Sequence, residues 1–444
     1  MSVFKNSGLI FWRRGHFVYN TDMKTIKALI SSILFILLFA LCGYGFRYLL
    51  IDDTQSYTRV MMHEFYDQEN IDVLFVGSSH CYAALNPAIT DEIFGANTFN
   101  AGSSLQAQDA SYALIREAVD RYHPQQIFLE MYYLMMSNDE YKDREQLTGT
   151  YIISDYMKPS LNKASFLIHA SSPKYYINSF IPARRNWEGL LHPAEIQEIL
   201  SKKQSDAYRQ FQPFGGYQGK GFVSNQGSIP NGILLDTAGF DSIHVDKASA
   251  DWTKTIREII DFCEKRDVKL TLFSAPMTLF QTAGAGNYDE YIELIRSMTA
   301  DSNVEYVDFN LCREVYFDQI PEYFSDAGHL NETGAEAFSR VFSDYFTGKI
   351  PASDLFYDSM TEKIAASEPR ILGLSFLDSG DGMRKLKIVS TLPEGTPFTV
   401  EFIDADGISH LLKEDDPDLY FEISQSDHGV IHVHAGEISE EIEV

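Results

Sequence analysis

Cysteine is scarce, four in 444 residues, and one of them, Cys42, falls inside an apolar run. An exported chain with so few thiols has no disulfide framework, so its stability must come from a packed interior. Cys81, Cys263 and Cys312 each adjoin apolar residues and read as packed thiols. Positive charge is scarce as well: 36 Lys and Arg stand against 63 Asp and Glu, a formal net charge of −27. So acidic a chain repels polyphosphate, which argues against a nucleic-acid partner. There is no internal repeat and no low-complexity tract, so solenoids and flexible arrays are excluded. A third ligand beside His432 and His434 is also missing, and the pair reads as one polar face of a strand rather than a metal site.

The little basic charge there is lies at the front. Residues 1–51 hold six Lys and Arg against Asp22, a net +5 that leaves −32 for the remainder. This head leads into Ala28 to Phe46, which contains no charge. As a helix the run would be about 28 Å long, enough to cross a bilayer. A cleaved signal peptide competes with this reading, but no A-x-A site follows the run. A lipoprotein signal ending at Cys42 is opposed by the bulky Leu41. Lys5, Arg13, Arg14, Lys24 and Lys27 precede the span, and Asp52 and Asp53 follow it. The positive-inside rule then leaves residues 1–27 as a cytoplasmic tail, 28–50 as the anchor, and the rest outside the cytoplasm.

Beyond a stalk at 51–70, strands and helices alternate. Val73 to Val76 is an uninterrupted apolar run, as in a strand buried on both faces. Asn86-Pro87 starts a helix and Gly95 stops it. A short strand over Asn97–Ala101 follows, then a helix burying Leu114, Ile115, Ala118 and Val119, and a strand over Gln126–Met131. The alternation resumes with a helix burying Ile256, Ile259, Ile260 and Cys263, a strand over Val268–Phe273, a helix over Tyr291–Met298, and a strand over Val304–Phe309. A closing helix from about Glu332 turns Ala335, Phe338, Val341, Phe342 and Tyr345 inward. This is the pattern of an α/β fold with a doubly wound parallel sheet, flavodoxin-like, spanning 71–348. It is interrupted over 132–246 by a stretch rich in Tyr, Ser, Pro and Gly, read as a lid or substrate-binding insertion on the catalytic edge. After a linker at 349–369, period-two runs at 371–377, 385–390, 397–404 and 430–434 predict a small antiparallel β-sandwich over 370–444.

Gly77-Ser78-Ser79 stands where the first strand leaves the sheet, the edge at which open α/β sheets bind ligands. A serine there needs a base to become a nucleophile and an acid to orient that base. Tyr323-Phe-Ser-Asp326-Ala-Gly-His329-Leu-Asn331 supplies both just before the last helix. The N–H groups of Ser79 and of Gly102, in Asn100-Ala-Gly102, are candidates to receive an oxyanion. His80 reads as a pocket or packing residue rather than the base.

These three blocks, in this order, resemble the first, second and fifth blocks of the SGNH (GDSL-like) hydrolase superfamily over roughly residues 71–347. The resemblance implies Ser79 as nucleophile, Asp326 and His329 as the rest of a triad, Gly102 as an oxyanion donor, and no cofactor or metal. It departs from the family pattern twice. Gly-Ser-Ser replaces Gly-Asp-Ser, and Glu130-Met-Tyr-Tyr stands where the third block's asparagine is expected, leaving Asn138 as a substitute donor. With the anchor, these departures resemble the membrane-anchored branch that includes the alginate O-acetylation proteins and the D-alanyl transfer protein of teichoic acid synthesis. That resemblance implies a membrane-bound O-acyltransferase as partner and a polysaccharide or teichoic acid as acceptor, with Tyr132, Tyr133, Trp187 and Tyr217 as candidate sugar-facing aromatics. The expected activity is an extracytoplasmic serine O-acyltransferase, with a carbohydrate O-acetylesterase or a non-catalytic polymer-binding scaffold as alternatives.

Overall fold

The structure, a computed structural model, describes residues 7–136, 147–229, 233–236, 243–378 and 382–444. They form two compact units, one of residues up to 55 together with 177–210, the other of 56–176 together with 211–444.

The first unit is built on α1 (Ser7–Leu50), of which Thr25–Leu50 is long and apolar enough to cross a membrane. A helix leaves its last carbonyls without partners. Here the returning segment 177–210 supplies them, so that its fold and the end of α1 specify each other. Asn186 Nδ2 donates to Leu50 O at 3.2 Å, and the buried Lys203 ammonium donates to Tyr48 O at 3.0 Å and Ile51 O at 2.5 Å. Asp53 balances that ammonium at 3.0 Å.

The second unit contains a five-stranded parallel sheet. Its strands are β1 (Val73–Val76), β2 (Thr98–Asn100), β3 (Gln126–Glu130), β7 (Lys269–Ser274) and β8 (Glu305–Asp308), in the order β2-β1-β3-β7-β8. β4 (Tyr217–Gly219), β5 (Phe222–Val223) and β6 (Ile233–Asp236) fall between β3 and β7 in the chain. The order reverses between β1 and β3, which places a crevice at the carboxyl end of β1. Every residue of β1 is buried, as its unbroken apolar run requires for a strand covered on both faces. Asn86 caps Pro87–Phe94 by accepting from Ala88 N–H, and Gly95 ends that helix at φ +62°, as read from the sequence. Phe342, on the closing helix Glu332–Phe346, fills the space against the sheet and meets Phe75, Phe128, Phe273 and Phe309 edge-on or tilted at 5.0–5.8 Å.

Residues 51–70 are not a free stalk. The helix Tyr57–Asp67 turns Val60, Met61, Met62 and Phe65 into the core, because its apolar residues recur at helical spacing and a buried face outweighs a solvated one. The stretch 349–369 is likewise packed rather than an open linker. Its helix Met360–Ala366 drives Lys363 into the interior, where the ammonium donates to Asn310 O at 2.9 Å and Cys312 O at 2.7 Å.

The C-terminal strands are β9 (Ile371–Asp378), β10 (Met383–Ser390), β11 (Phe398–Asp404), β12 (Ser409–Asp416), β13 (Tyr420–Ser424), β14 (Gly429–Ala435) and β15 (Ile438–Glu443). They make two four-stranded sheets, β13-β10-β9-β6 and β12-β11-β14-β15. β6, from inside the 132–246 insertion, joins the first of these by pairing parallel to β9. Every C-terminal strand beyond the four expected lies at a sheet edge. Edge strands carry more polar residues and lose the clean alternation, which hides them in the sequence.

Candidate active site

The site begins where β1 ends. The Gly77 backbone passes so close to Glu130 that a Cβ there would lie 2.5 Å from Glu130 Cβ, so only glycine fits. Ser78 then caps the helix Ser79–Ala84, its hydroxyl accepting from His80 N–H at 3.2 Å. Ser78 is buried and Ser79, the first helical residue, is half-buried.

The loop before the closing helix is tied down on several sides. Asp326 Oδ1 accepts from the N–H groups of Gly328 and His329 at 2.9 Å each. Thr278, just after β7, holds Ala327 O through both its N–H and its hydroxyl. Asn331 caps the closing helix through Gly334 N–H, while its amide donates to Glu322 O at 2.7 Å and Gly227 O at 2.8 Å. These anchors bring His329 Nε2 to 2.8 Å from Ser79 Oγ across a sequence separation of 250 residues. The other ring nitrogen, Nδ1, lies 2.9 Å from both Asp326 carboxylate oxygens. With Nδ1–H donated to the carboxylate, Nε2 is left as an acceptor for the Ser79 hydroxyl proton. Burial works against the charge on Asp326, but the His329 ring and the loop N–H groups outweigh it and hold its pKa down at about 2.

The expected oxyanion donors are arranged less simply. Ser79 N–H makes no hydrogen bond among the described residues. Gly102 is brought beside the Ser79 turn, where a Cβ would stand 3.0 Å from Ser78 O and Tyr82 N. Its N–H, however, is turned toward Asn100 Oδ1 at 3.0 Å, because that side chain also bridges to Cys81 O and Leu85 O and fixes the loop. Asn138 lies outside the described residues.

Three features of the site go beyond what the sequence reading assigned. Glu130 Oε2 accepts from Ser78 N–H at 2.8 Å, and burial pushes its carboxyl up to about 7 despite that bond. His80 is sandwiched between Tyr132 at 3.9 Å and His329 at 4.4 Å, and its Nδ1 has no partner among the described residues. Burial first, and then the neighbouring His329, hold its pKa well below the usual imidazole value, so His80 stays neutral. Third, Asn225 and Gln226 of the insertion join Tyr82, Ser325, Asp326 and His329 around an open cavity of about 270 Å³. In the sequence Glu130 stood out by its place in the third block, at the end of a buried strand.

Part of the insertion therefore reaches the sheet edge that holds Ser79 and His329. Lys220 O accepts from Asn100 N–H, and Asn225 O accepts from Glu332 N–H, so β4 and β5 lie between β2 and the closing helix. Of the candidate aromatics, Tyr133 and Tyr217 are buried and Tyr132 packs on His80, while Trp187 is exposed in the other unit. Among the described residues no three His, Cys, Asp or Glu side chains converge as a metal ion would need. His432 pairs with Glu441 at 3.4 Å.

No family model matches the chain, and no curated protein matches it. Solved structures similar to it include a GDSL-like lipase from Bacteroides thetaiotaomicron, 9% identical, covering 67% of this chain and 100% of that one at a TM-score of 0.31. Another is a provisionally named acylhydrolase from Bacteroides fragilis, 9% identical, covering 64% and 89% at a TM-score of 0.29. A third, a provisionally named lipolytic protein of the G-D-S-L family from Desulfitobacterium hafniense, is 10% identical and covers 62% and 98% at 0.28. The structure neighbours are thus GDSL-like lipases and acylhydrolases at low sequence identity.

Proposed function

We propose that this chain is a membrane-anchored serine O-acyltransferase of the SGNH type, acting outside the cytoplasm to place an acyl group, acetyl in the first instance, on a hydroxyl of a cell-surface polysaccharide or teichoic acid. The observation that carries the reading is the chain of contacts Ser79 Oγ, His329 Nε2, His329 Nδ1, Asp326 carboxylate, at 2.8 and 2.9 Å. In the first half-reaction His329 takes the Ser79 proton as Oγ attacks the donor carbonyl, then returns it to the departing donor group, leaving an acyl ester on Ser79. In the second, an acceptor hydroxyl gives its proton to His329 and attacks that ester; Ser79 leaves and recovers the proton. Asp326 keeps the ring in the tautomer that can do both, and Ser79 N–H faces the oxyanion. A membrane-bound O-acyltransferase is the partner that would supply the acyl group at the bilayer.

The second reading, a carbohydrate O-acetylesterase, is supported by the openness of the cavity beside His329, which admits water as acceptor. Both enzymes predict that the full chain in detergent cleaves p-nitrophenyl acetate and that Ser79→Ala loses that activity by roughly 10³-fold or more. Equal rates for the two proteins would leave a polymer-binding scaffold instead. Adding an oligosaccharide acceptor separates the enzymes: acylated sugar marks transfer, and unchanged release of acetate marks hydrolysis.

A further inference from the structure

The segment 177–210 does more than cap the end of α1. It carries a row of exposed large apolar side chains: Ile177 is 62% exposed, Phe180 45%, Trp187 46%, Leu190 48% and Leu191 72%. Solvated apolar side chains clustered in this way mark a surface made for a partner. Trp187 and Leu190, three residues apart in the 3-10 stretch Pro182–Leu191, lie on one side of it.

The position of the row indicates which partner. Asn186 is bonded to Leu50 O, and a Cβ added at Gly189 would lie 3.4 Å from Leu50 Cδ2, so residues 187–191 are held at the last residue of α1. If α1 crosses a bilayer, that residue is where the hydrocarbon ends and the headgroups begin. The composition suits that depth. Tyr44 and Phe46 are exposed on the last turns of α1, and the Arg184 guanidinium lies 5.6 Å from the Trp187 ring. Aromatic rings with Arg beside them are the side chains that settle at a membrane interface.

We propose that Ile177, Phe180, Trp187, Leu190 and Leu191 lie in the outer interfacial layer of the bilayer that α1 crosses, with lipid as their occupant. This rests on α1 being a membrane span and not on the acyl-transfer chemistry. The test uses the full chain and its Trp187→Phe variant in phosphatidylcholine vesicles whose acyl chains are brominated either near the glycerol or near the methyl end. The difference in emission between the two proteins isolates Trp187, and the exposed site tolerates the exchange. Expected is a loss of about half of that difference signal with shallow bromine and a smaller loss with deep bromine, as for a ring ~5–10 Å below the surface. A double variant, Leu190→Glu with Leu191→Glu, should weaken the quenching. Trp187 emission equal in brominated and plain vesicles, from protein that survives a carbonate wash, overturns the proposal and leaves the anchor standing. Release of the chain by carbonate overturns both.

Discussion

Glu130 accepts from Ser78 N–H under the turn that carries Ser79, and its behaviour with pH follows from its burial. Its folded pKa of about 7 lies above the value of 4.5 for a free glutamate, so between those values the folded state holds a proton the unfolded state has released. The corresponding stability is fully present below about 4.5 and is lost as pH rises through 7, an effect on the order of 3 kcal/mol. Glu130→Gln keeps an acceptor for Ser78 N–H and has no proton to lose. Urea denaturation at about pH 5 and pH 8 should therefore show the variant gaining on the wild type as pH rises; parallel curves would mean that Glu130 is not held neutral. Asp326 behaves oppositely: held at about 2, it contributes stability above the free aspartate value of 3.8 and loses it only as pH falls through 2. Asp326→Asn should fold normally yet lose roughly 10²–10⁴-fold in kcat, because an amide cannot hold the same tautomer of His329. Stopped-flow acylation would show whether the loss lies in the chemical step.

At the scale of elements, the hairpin of β4 and β5 depends on one backbone position. Gly221 sits at φ +85°, and a Cβ there would lie 1.5 Å from Asn100 O. Gly221→Ala must push the hairpin off β2, breaking the Asn100 N–H to Lys220 O bond and moving Asn225 away from His329. Both the rate of p-nitrophenyl acetate cleavage expected of the proposed site and the stability should fall, the latter by about 1–3 kcal/mol. Gly95→Ala is the control: its φ is also positive, but open space surrounds it, so only a smaller stability loss is expected. Phe342→Ala should cost about 3–5 kcal/mol by melting temperature, since the aromatic cluster it joins cannot collapse to fill the void. The same scale shows what the sequence disclosed. The parallel strands and the helices over them were legible because each buries an unbroken or strictly periodic apolar set, and Ser79, Asp326 and His329 because they stand at element boundaries beside glycine and asparagine. Asn225 was not legible, nor was the bond from Ser78 N–H to Glu130, since these pairings are set by tertiary packing alone. The edge strands of the C-terminal module were hidden by their polar composition.

At the scale of the whole molecule, the body of 56–176 and 211–444 is one interdependent structure. β6 finds its partner in β9, Phe280 packs on Val389, and the Lys387 ammonium donates to Gly284 O at 2.7 Å. A chain ending at residue 369 would therefore expose an unpaired strand and an apolar seam. It should aggregate or unfold at a lower temperature instead of behaving as a free catalytic domain, which light scattering during a thermal ramp would reveal.

The pairing of β6 with β9 also imposes an order on biosynthesis. The ribosome delivers residues 233–236 long before residues 371–378 exist, so the sheet they share can close only when the last sixth of the protein has been made. Until then residues 233–236 lack their partner strand, although Asn225 upstream of them is already tied to Leu330 and Glu332. What waits on the end of translation is thus the partner of β6, not the wall beside the serine and histidine.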